Sequence, residues 1–122
     1  MAIGIVDGAA GLRAFTEEKI REPRILGLAS KVRYEVDPND PYPENYVGAL
    51  TVRMRDGRTF SAVQPCLRGG RRDPLSDAEL EAKFRANASY GGWPDDMAGR
   101  FIAFSNGAFA AERLDALSGF RG

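Results

Sequence analysis

Two stretches of alternating apolar and polar residues, joined by Asp56-Gly57, constrain the fold of this chain more than any other feature. From 47 to 55 the side chains alternate with the period of two that is typical of a half-buried strand. The alternation resumes over 58–65, and Gly57 can adopt the positive φ that a tight turn needs. The sequence therefore predicts a β-hairpin whose apolar face must be covered.

The register of this hairpin follows from the positions of its apolar residues. A two-residue turn would place Phe60 opposite Arg53, on the wrong face of the ribbon. A three-residue loop at 55–57 instead brings Phe60 opposite Val52, so that apolar side chains share one face. We therefore predict the three-residue loop. The predicted pairs are Leu50 with Ala62, Val52 with Phe60 and Met54 with Arg58.

A third alternating stretch lies at 31–37, where apolar residues alternate with charged ones. Pro38 ends this stretch because proline has no N–H to donate to a strand ladder. Helical segments flank the strands on both sides, so the expected fold class is α+β, with helices packed on one face of the sheet. The expected antiparallel sheet has about three strands, near 31–37, 47–55 and 58–65.

A capping box marks the start of the longest predicted helix. Ser76 can accept a hydrogen bond from the backbone N–H three residues later, and Glu79 is placed to reach back to the start of the helix. Gly91 and Gly92 follow the apolar positions of this segment. We predict a helix that begins after Ser76 and ends near Tyr90.

Weaker signals predict shorter helical pieces elsewhere. Thr16 is a candidate N-cap, and Pro23 suits the first turn of a second short helix. A further helix is expected to begin near Pro94. We expect the Ser-Asn-Gly run at 105–107 to interrupt it and a last helical piece to span 109–117.

The composition excludes several classes of function. Seventeen cationic side chains balance 17 anionic ones in 122 residues, so the charge gives no reason to expect a nucleic-acid or membrane partner. The chain has no histidine, which removes His-based nucleophile pairs and the commonest metal ligand. Cys66 is its single cysteine, and no apolar run reaches the length of a transmembrane helix. We expect a cytoplasmic protein that forms one domain over residues 1–122 and has no metal site.

One loop is a candidate anion-binding site, and it consists of Arg68, Gly69, Gly70, Arg71 and Arg72. Guanidinium forks and backbone N–H groups both suit carboxylates and phosphates. The alternative interpretation of this Arg-Gly loop is a solvated connection, which the sequence by itself favours. It is not a P-loop, because no Gly-Lys-Ser or Gly-Lys-Thr follows.

Four segments, taken in order and spacing, resemble the C-terminal part of MmgE/PrpD proteins. The last of them directly follows the Arg-Gly loop and is the most specific, and the resemblance covers about 3–84 well. The segments are Phe-Thr-Glu-Glu-Lys-Ile at 15–20, Val-Arg-Tyr-Glu-Val-Asp-Pro at 32–38, Leu-Thr-Val-Arg-Met-Arg-Asp-Gly-Arg at 50–58 and Asp-Pro-Leu-Ser-Asp-Ala-Glu-Leu-Glu-Ala-Lys-Phe at 73–84.

The resemblance implies an enzyme family with a large helical domain, a smaller α+β lid and an active site between them. The family includes 2-methylcitrate dehydratases, cis-aconitate decarboxylases and iminodisuccinate epimerases, which are lyases and isomerases of small polycarboxylates that need no organic cofactor. Only the later portion of the lid matches this chain. The family's catalytic His and Lys motifs belong to the other portions, so the resemblance assigns no catalytic residue here.

Three hypotheses follow from the sequence, in this order. The first is a truncated or stand-alone lid-like domain that is inactive alone. It is either a cleaved or split piece of an MmgE/PrpD enzyme or one subunit that a separate helical-domain polypeptide completes. The second is a module that self-associates as a homodimer, through an exposed strand edge or the Phe-rich tail. The third is a binder of a small polycarboxylate through the Arg-Gly loop at 68–72.

Overall fold

Helices precede and follow a β-hairpin along the chain, which confirms the expected α+β class. The structure is a computed structural model, and it describes residues 1–121. Helices α1, α2 and α3 span Ala2–Asp7, Glu17–Ile20 and Pro23–Ala29, strands β1 and β2 span Gly48–Arg53 and Thr59–Gln64, and helices α4 and α5 span Asp77–Tyr90 and Asp95–Ala108. Short 3-10 helices occupy Leu12–Phe15 and Asp115–Phe120.

The chain folds as two compact units. The helical unit comprises Met1–Val32 and the residues from Ala78 onward, and the hairpin unit comprises Arg33–Asp77. Both strands lie in the hairpin unit, and the helices lie in the helical unit except for the first residue of α4. Helix and sheet are therefore segregated along the chain, as is typical of α+β proteins.

The hairpin has the register that its apolar pattern predicts. The Met54 N–H donates to the Arg58 carbonyl at 2.8 Å and closes the three-residue loop at 55–57. Gly57 lies in this loop with φ of 88°, the left-handed region that glycine adopts without steric cost. The predicted strand pairs are present: Leu50 with Ala62 and Val52 with Phe60.

The prediction of a third strand at 31–37 is wrong, because the sheet of the described chain has two strands. The N–H groups of Lys31 and Val32 each donate at 3.0 Å to carbonyls at the end of α3, so this backbone continues a helix terminus. Tyr34 and Val36 are 86% and 81% exposed. Alternation favours a strand only where an apolar surface covers one of its faces, and nothing in the described chain covers this one.

The helix starts that the sequence predicts at 16, 23 and 76 agree with the structure. Helix α4 begins directly after Ser76 and ends at Tyr90, as its capping box predicts. Thr16 caps α2, because its Oγ1 accepts a hydrogen bond from the Lys19 N–H at 3.3 Å. Pro23 occupies the first turn of α3.

The last part of the chain differs from its prediction. Helix α5 continues through 105–107 and ends at Ala108, and a 3-10 helix at Asp115–Phe120 replaces the helix predicted at 109–117. The Ser-Asn-Gly run lies in the last turn of α5. Residues with weak helix propensity cost less there, because the last four carbonyl groups of a helix accept no intrahelical hydrogen bond. Phe109 is fully exposed, so packing contributes nothing to a helix after it.

Aromatic side chains from α4, α5 and the last 3-10 helix form the main cluster of the helical unit. Phe84 stacks on Phe101 with ring centroids 5.3 Å apart, and Phe120 meets Phe101 edge-on at 5.1 Å. Trp93 contacts Phe101 at 5.7 Å, and Phe104 contacts it at 6.2 Å. All five rings are only half-buried, so the cluster is open on one side.

Little of the described chain is buried. The buried hydrophobic residues are Ala2, Ala14, Ile25 and Ala98, and no large side chain is fully buried in the part that the structure describes. Many large apolar side chains are instead exposed, among them Leu26 at 51% and Leu80 at 51%. The isolated chain therefore leaves these apolar side chains in contact with water.

Candidate functional site

The Arg-Gly loop is a closed turn that its own backbone holds. The Gly69 N–H donates to the Asp73 carbonyl at 2.7 Å, and the Gly70 N–H donates to the Leu67 carbonyl at 3.0 Å. The Asp73 N–H returns a bond to the Gly70 carbonyl at 3.2 Å. Both glycine N–H groups are thus committed inside the loop and do not point to a bound anion.

Arg68 is paired within the hairpin unit. Its Nη1 donates to one carboxylate oxygen of Asp73 and, at 3.0 Å, to the Pro74 carbonyl. The other carboxylate oxygen of Asp73 accepts a bond from Gln64 Nε2 at 2.8 Å, and that amide also donates to the Cys66 carbonyl at 3.0 Å. Asp73 therefore neutralises Arg68 and ties the loop to Gln64, the last residue of β2.

Arg71 and Arg72 are the central residues of the turn that runs from Gly70 to Asp73. Both arginines are exposed, and within residues 1–121 neither forms an ion pair. A turn places consecutive side chains on a short, fixed piece of backbone. The structure thus separates the predicted set into one neutralised arginine and two arginines whose charges face solvent.

An open concavity of about 490 Å³ lies beside this turn. We call it the Arg71–Arg72 groove. Its charged lining residues are Arg71, Arg72 and Glu44, which leave it a net charge of one positive unit, and it contains no further Lys, Arg, Asp or Glu. Asn45, Tyr46 and Leu67 form much of the remaining wall.

Two contacts hold Asn45 and Tyr46, which line the groove together with the arginines. Asn45 is half-buried, and its Nδ2 donates to the Pro65 carbonyl at 2.8 Å. The Tyr46 ring lies edge-on to the Tyr42 ring, with centroids 5.3 Å apart. We find no functional signal in the sequence for this wall, because the Pro-rich connection at 38–45 indicates only an exposed loop.

A second concavity, of about 530 Å³, lies in the helical unit and includes Lys19 and Glu22 in its lining. The Nζ of Lys19 lies 2.9 Å from an Asp7 carboxylate oxygen and 2.7 Å from one of Glu22. Hydrogen bonds to Asp7, and then to Glu22, raise the pKa of Lys19. A lysine whose proton is held this firmly is a structural cation and not a general base at neutral pH.

Two further searches of the described chain concern metals and membranes. Within residues 1–121, no three Cys, Asp or Glu side chains cluster in a way that could hold a metal ion. None of the helices described for these residues combines the length and the apolar character that are needed to cross a membrane. Cys66 is a half-buried free thiol that contributes to the lining of the Arg71–Arg72 groove.

Known proteins match most of this chain. The family model of the MmgE/PrpD C-terminal domain matches residues 1–101. A cis-aconitate decarboxylase of Homo sapiens is 37% identical over 86 residues, which are 70% of this chain and 18% of that protein. A cis-aconitate decarboxylase of Mus musculus is 33% identical over 86 residues, which are again 70% of this chain and 18% of that protein. The chain thus spans about a fifth of the length of these curated relatives.

Proposed function

We propose that this chain is a lid-like part of an enzyme for small polycarboxylates and has no turnover alone. The chain belongs to the MmgE/PrpD family, because it matches the C-terminal domain of that family. The relatives reported above are cis-aconitate decarboxylases. A lyase reaction on a tricarboxylate is therefore the activity to which the complete assembly would contribute. Another polypeptide supplies the helical domain in this proposal.

The uncovered apolar surface carries this proposal. In the hairpin, Phe60 and Val63 are 54% and 64% exposed, and in the helical unit Phe15 is 66% exposed. Both units therefore leave large apolar side chains in contact with water, and exposed apolar surface of this kind marks a site for a protein partner. Coverage by a larger polypeptide accounts for this exposure.

The chain's own side chains also support the absence of turnover. With no histidine, acid–base chemistry near neutral pH needs a carboxylate, lysine, tyrosine or cysteine with a shifted pKa. The raised pKa of Lys19 keeps that lysine protonated, which is the wrong state for a base. The catalytic His and Lys motifs that the family resemblance implies have no counterpart in this chain.

The proposed partner is a polypeptide with the helical domain of the family, and the proposed location is the cytoplasm, whose reducing conditions suit a single free cysteine. A homodimer is the second candidate. One observation favours it: β1 and β2 form a two-stranded sheet in the described chain, so the outer edge of each strand lacks a neighbouring strand. Such edges pair readily with strands of another chain.

Turnover assays with the purified chain test the proposal. The chain is incubated separately with cis-aconitate and 2-methylcitrate, and product formation is followed against buffer and against heat-denatured protein. We expect no product above these controls. Saturable product formation that scales with the concentration of the chain through two purification steps would overturn the proposal.

A further inference from the structure

We propose that the Arg71–Arg72 groove binds a small molecule with two or more carboxylates, one at each guanidinium. This assignment rests on the proposed function for its place in a polycarboxylate enzyme, but it concerns residues that no catalytic role requires. The relevant groove residues are Glu44, Asn45, Tyr46, Leu67, Arg71 and Arg72.

The charge state of the two arginines is the first argument. Several arginines in this chain are neutralised by nearby acids, as Arg68 is by Asp73 and Arg21 is by Glu17 at 2.8 Å. Arg71 and Arg72 have no such partner within residues 1–121, although they are adjacent and line one concavity. Two positive side chains that line one concavity attract an anion to it.

The lining of the groove is the second argument. Tyr46 and Leu67 are 53% and 56% exposed, and both line the groove together with the arginines. Their apolar surfaces suit the carbon chain that joins two carboxylates. The volume of about 490 Å³ falls in the range of small-molecule sites, roughly 300–1,000 Å³.

The hydrogen bonds of the loop argue against a phosphate cradle that is built from its glycine N–H groups. Phosphate sites in loops use several converging backbone N–H groups, and those of Gly69 and Gly70 are already donated to carbonyl oxygens. A guanidinium group presents two parallel N–H donors that match the two oxygens of a planar carboxylate. Two such groups on adjacent residues therefore suit a molecule that has two carboxylates.

The negative charge of Glu44 should weaken the binding of an anion in the groove. Its carboxylate lines the same groove and offsets part of the positive charge. A bound polycarboxylate would be repelled by this group. Removal of the charge by Glu44→Gln should therefore strengthen binding, whereas removal of the arginine charges should weaken it.

Nuclear magnetic resonance of the ¹⁵N-labelled full chain tests the site. The probe is tricarballylate, a saturated tricarboxylate, and inorganic phosphate and sodium chloride at matched pH and ionic strength are the comparison anions. We expect saturable amide shifts at 44–46, 66–67 and 70–72 with tricarballylate, and only small, non-saturating shifts with the other two anions.

Variants make the test specific. The double variant Arg71→Gln/Arg72→Gln should raise the dissociation constant about tenfold or more. The control is Arg53→Gln/Arg55→Gln, which removes two exposed hairpin arginines that do not line the groove and should leave the constant unchanged. Both pairs are exposed, so neither double variant removes a buried contact.

Three results would overturn the assignment: an unchanged constant in Arg71→Gln/Arg72→Gln, equal saturable shifts with phosphate, or equal weakening by the control pair. This test measures binding without turnover, so its failure leaves the proposed lid function standing. Conversely, turnover by the isolated chain would overturn that function and leave the binding result intact.

Discussion

Arg85 of α4 binds Asp95 at the start of α5, with its Nη1 2.8 Å from the Asp95 carboxylate and 3.3 Å from the Asp95 carbonyl. The Nε and Nη2 of the same guanidinium donate to Glu81 at 3.1 and 2.9 Å. Hydrogen bonds to Glu81, and then to Asp95, raise the pKa of Arg85. One side chain thus connects two helices through a nearly saturated set of donors.

Replacement of this arginine should loosen the α4–α5 connection. We expect Arg85→Met to lower the urea midpoint of unfolding, because Glu81 and Asp95 both lose their cationic partner. The matched control is Arg100→Met, since Arg100 lies 4.0 Å from Asp96 and is 65% exposed. Exposed pairs of this kind contribute little, so the control should unfold like the wild type. Equal shifts in both variants would contradict the role of Arg85.

The aromatic cluster should contribute more to stability than the exposed aromatic ring that follows it. Phe101 contacts four other rings of the cluster, so Phe101→Ala should lower the free energy of unfolding by about 2–3 kcal/mol, less than a fully buried Phe would. Phe109→Ala should have no effect, because Phe109 is fully exposed. The fluorescence of Trp93, the single tryptophan, reports both transitions. A large loss for Phe109→Ala would show that this ring is packed in solution.

A side chain at the left-handed position of the hairpin loop should destabilise the hairpin. Gly57 has φ of 88°, so Gly57→Ala should destabilise the hairpin by about 1 kcal/mol. Gly48→Ala is the control, because its new Cβ would lie 3.9 Å from the Gln64 Cβ, an ordinary contact in an extended strand. Hydrogen exchange at the Val52 amide measures the change. Faster exchange in the Gly48 variant than in the Gly57 variant would contradict the structure of the loop.

The ion pairs of Lys19 should make stability depend on pH in the alkaline range. Asp7 and then Glu22 raise the pKa of Lys19 above its ordinary value of 10.5 in the folded chain. A raised folded pKa means that the stabilisation is complete below the unfolded pKa and is lost as the pH rises through the folded pKa.

We therefore expect Lys19→Met to be less stable than the wild type at pH 7 and the difference to shrink above the ordinary pKa of 10.5. Lys31→Met is the control, because Lys31 is exposed and forms no ion pair in the described chain. Urea unfolding at a series of pH values measures both. A difference that stays constant through the alkaline range would contradict the ion-pair account.

Local patterns explain why much of the fold is predictable from sequence. The hairpin register depends on residues within one ribbon and on Gly57, and the start of α4 depends on the box formed by Ser76 and Glu79. The prediction of a strand at 31–37 was wrong, because an alternating segment forms a strand only where another surface covers its apolar face. The alternation itself does not show whether such a surface exists.

The groove was only partly predictable for a related reason. The sequence singled out the five residues of the Arg-Gly loop, but it could not separate Arg68 from the other two arginines. That separation depends on Asp73, which could equally have faced solvent. The opposite wall lies in a distant loop, which Asn45 ties to the Pro65 carbonyl. Contacts of this kind form only when the chain folds.

The central claim is that another polypeptide covers apolar surfaces that are exposed in the isolated chain. Binding of 8-anilinonaphthalene-1-sulfonate to the purified chain tests this claim most directly. This dye becomes fluorescent on exposed hydrophobic surface. The structure, in which Phe15, Phe60 and Val63 are each more than half exposed, predicts a strong increase in dye fluorescence at neutral pH in the absence of denaturant. Fluorescence that stays at the level of buffer would contradict the claim, because it would show that the isolated chain already covers its apolar residues.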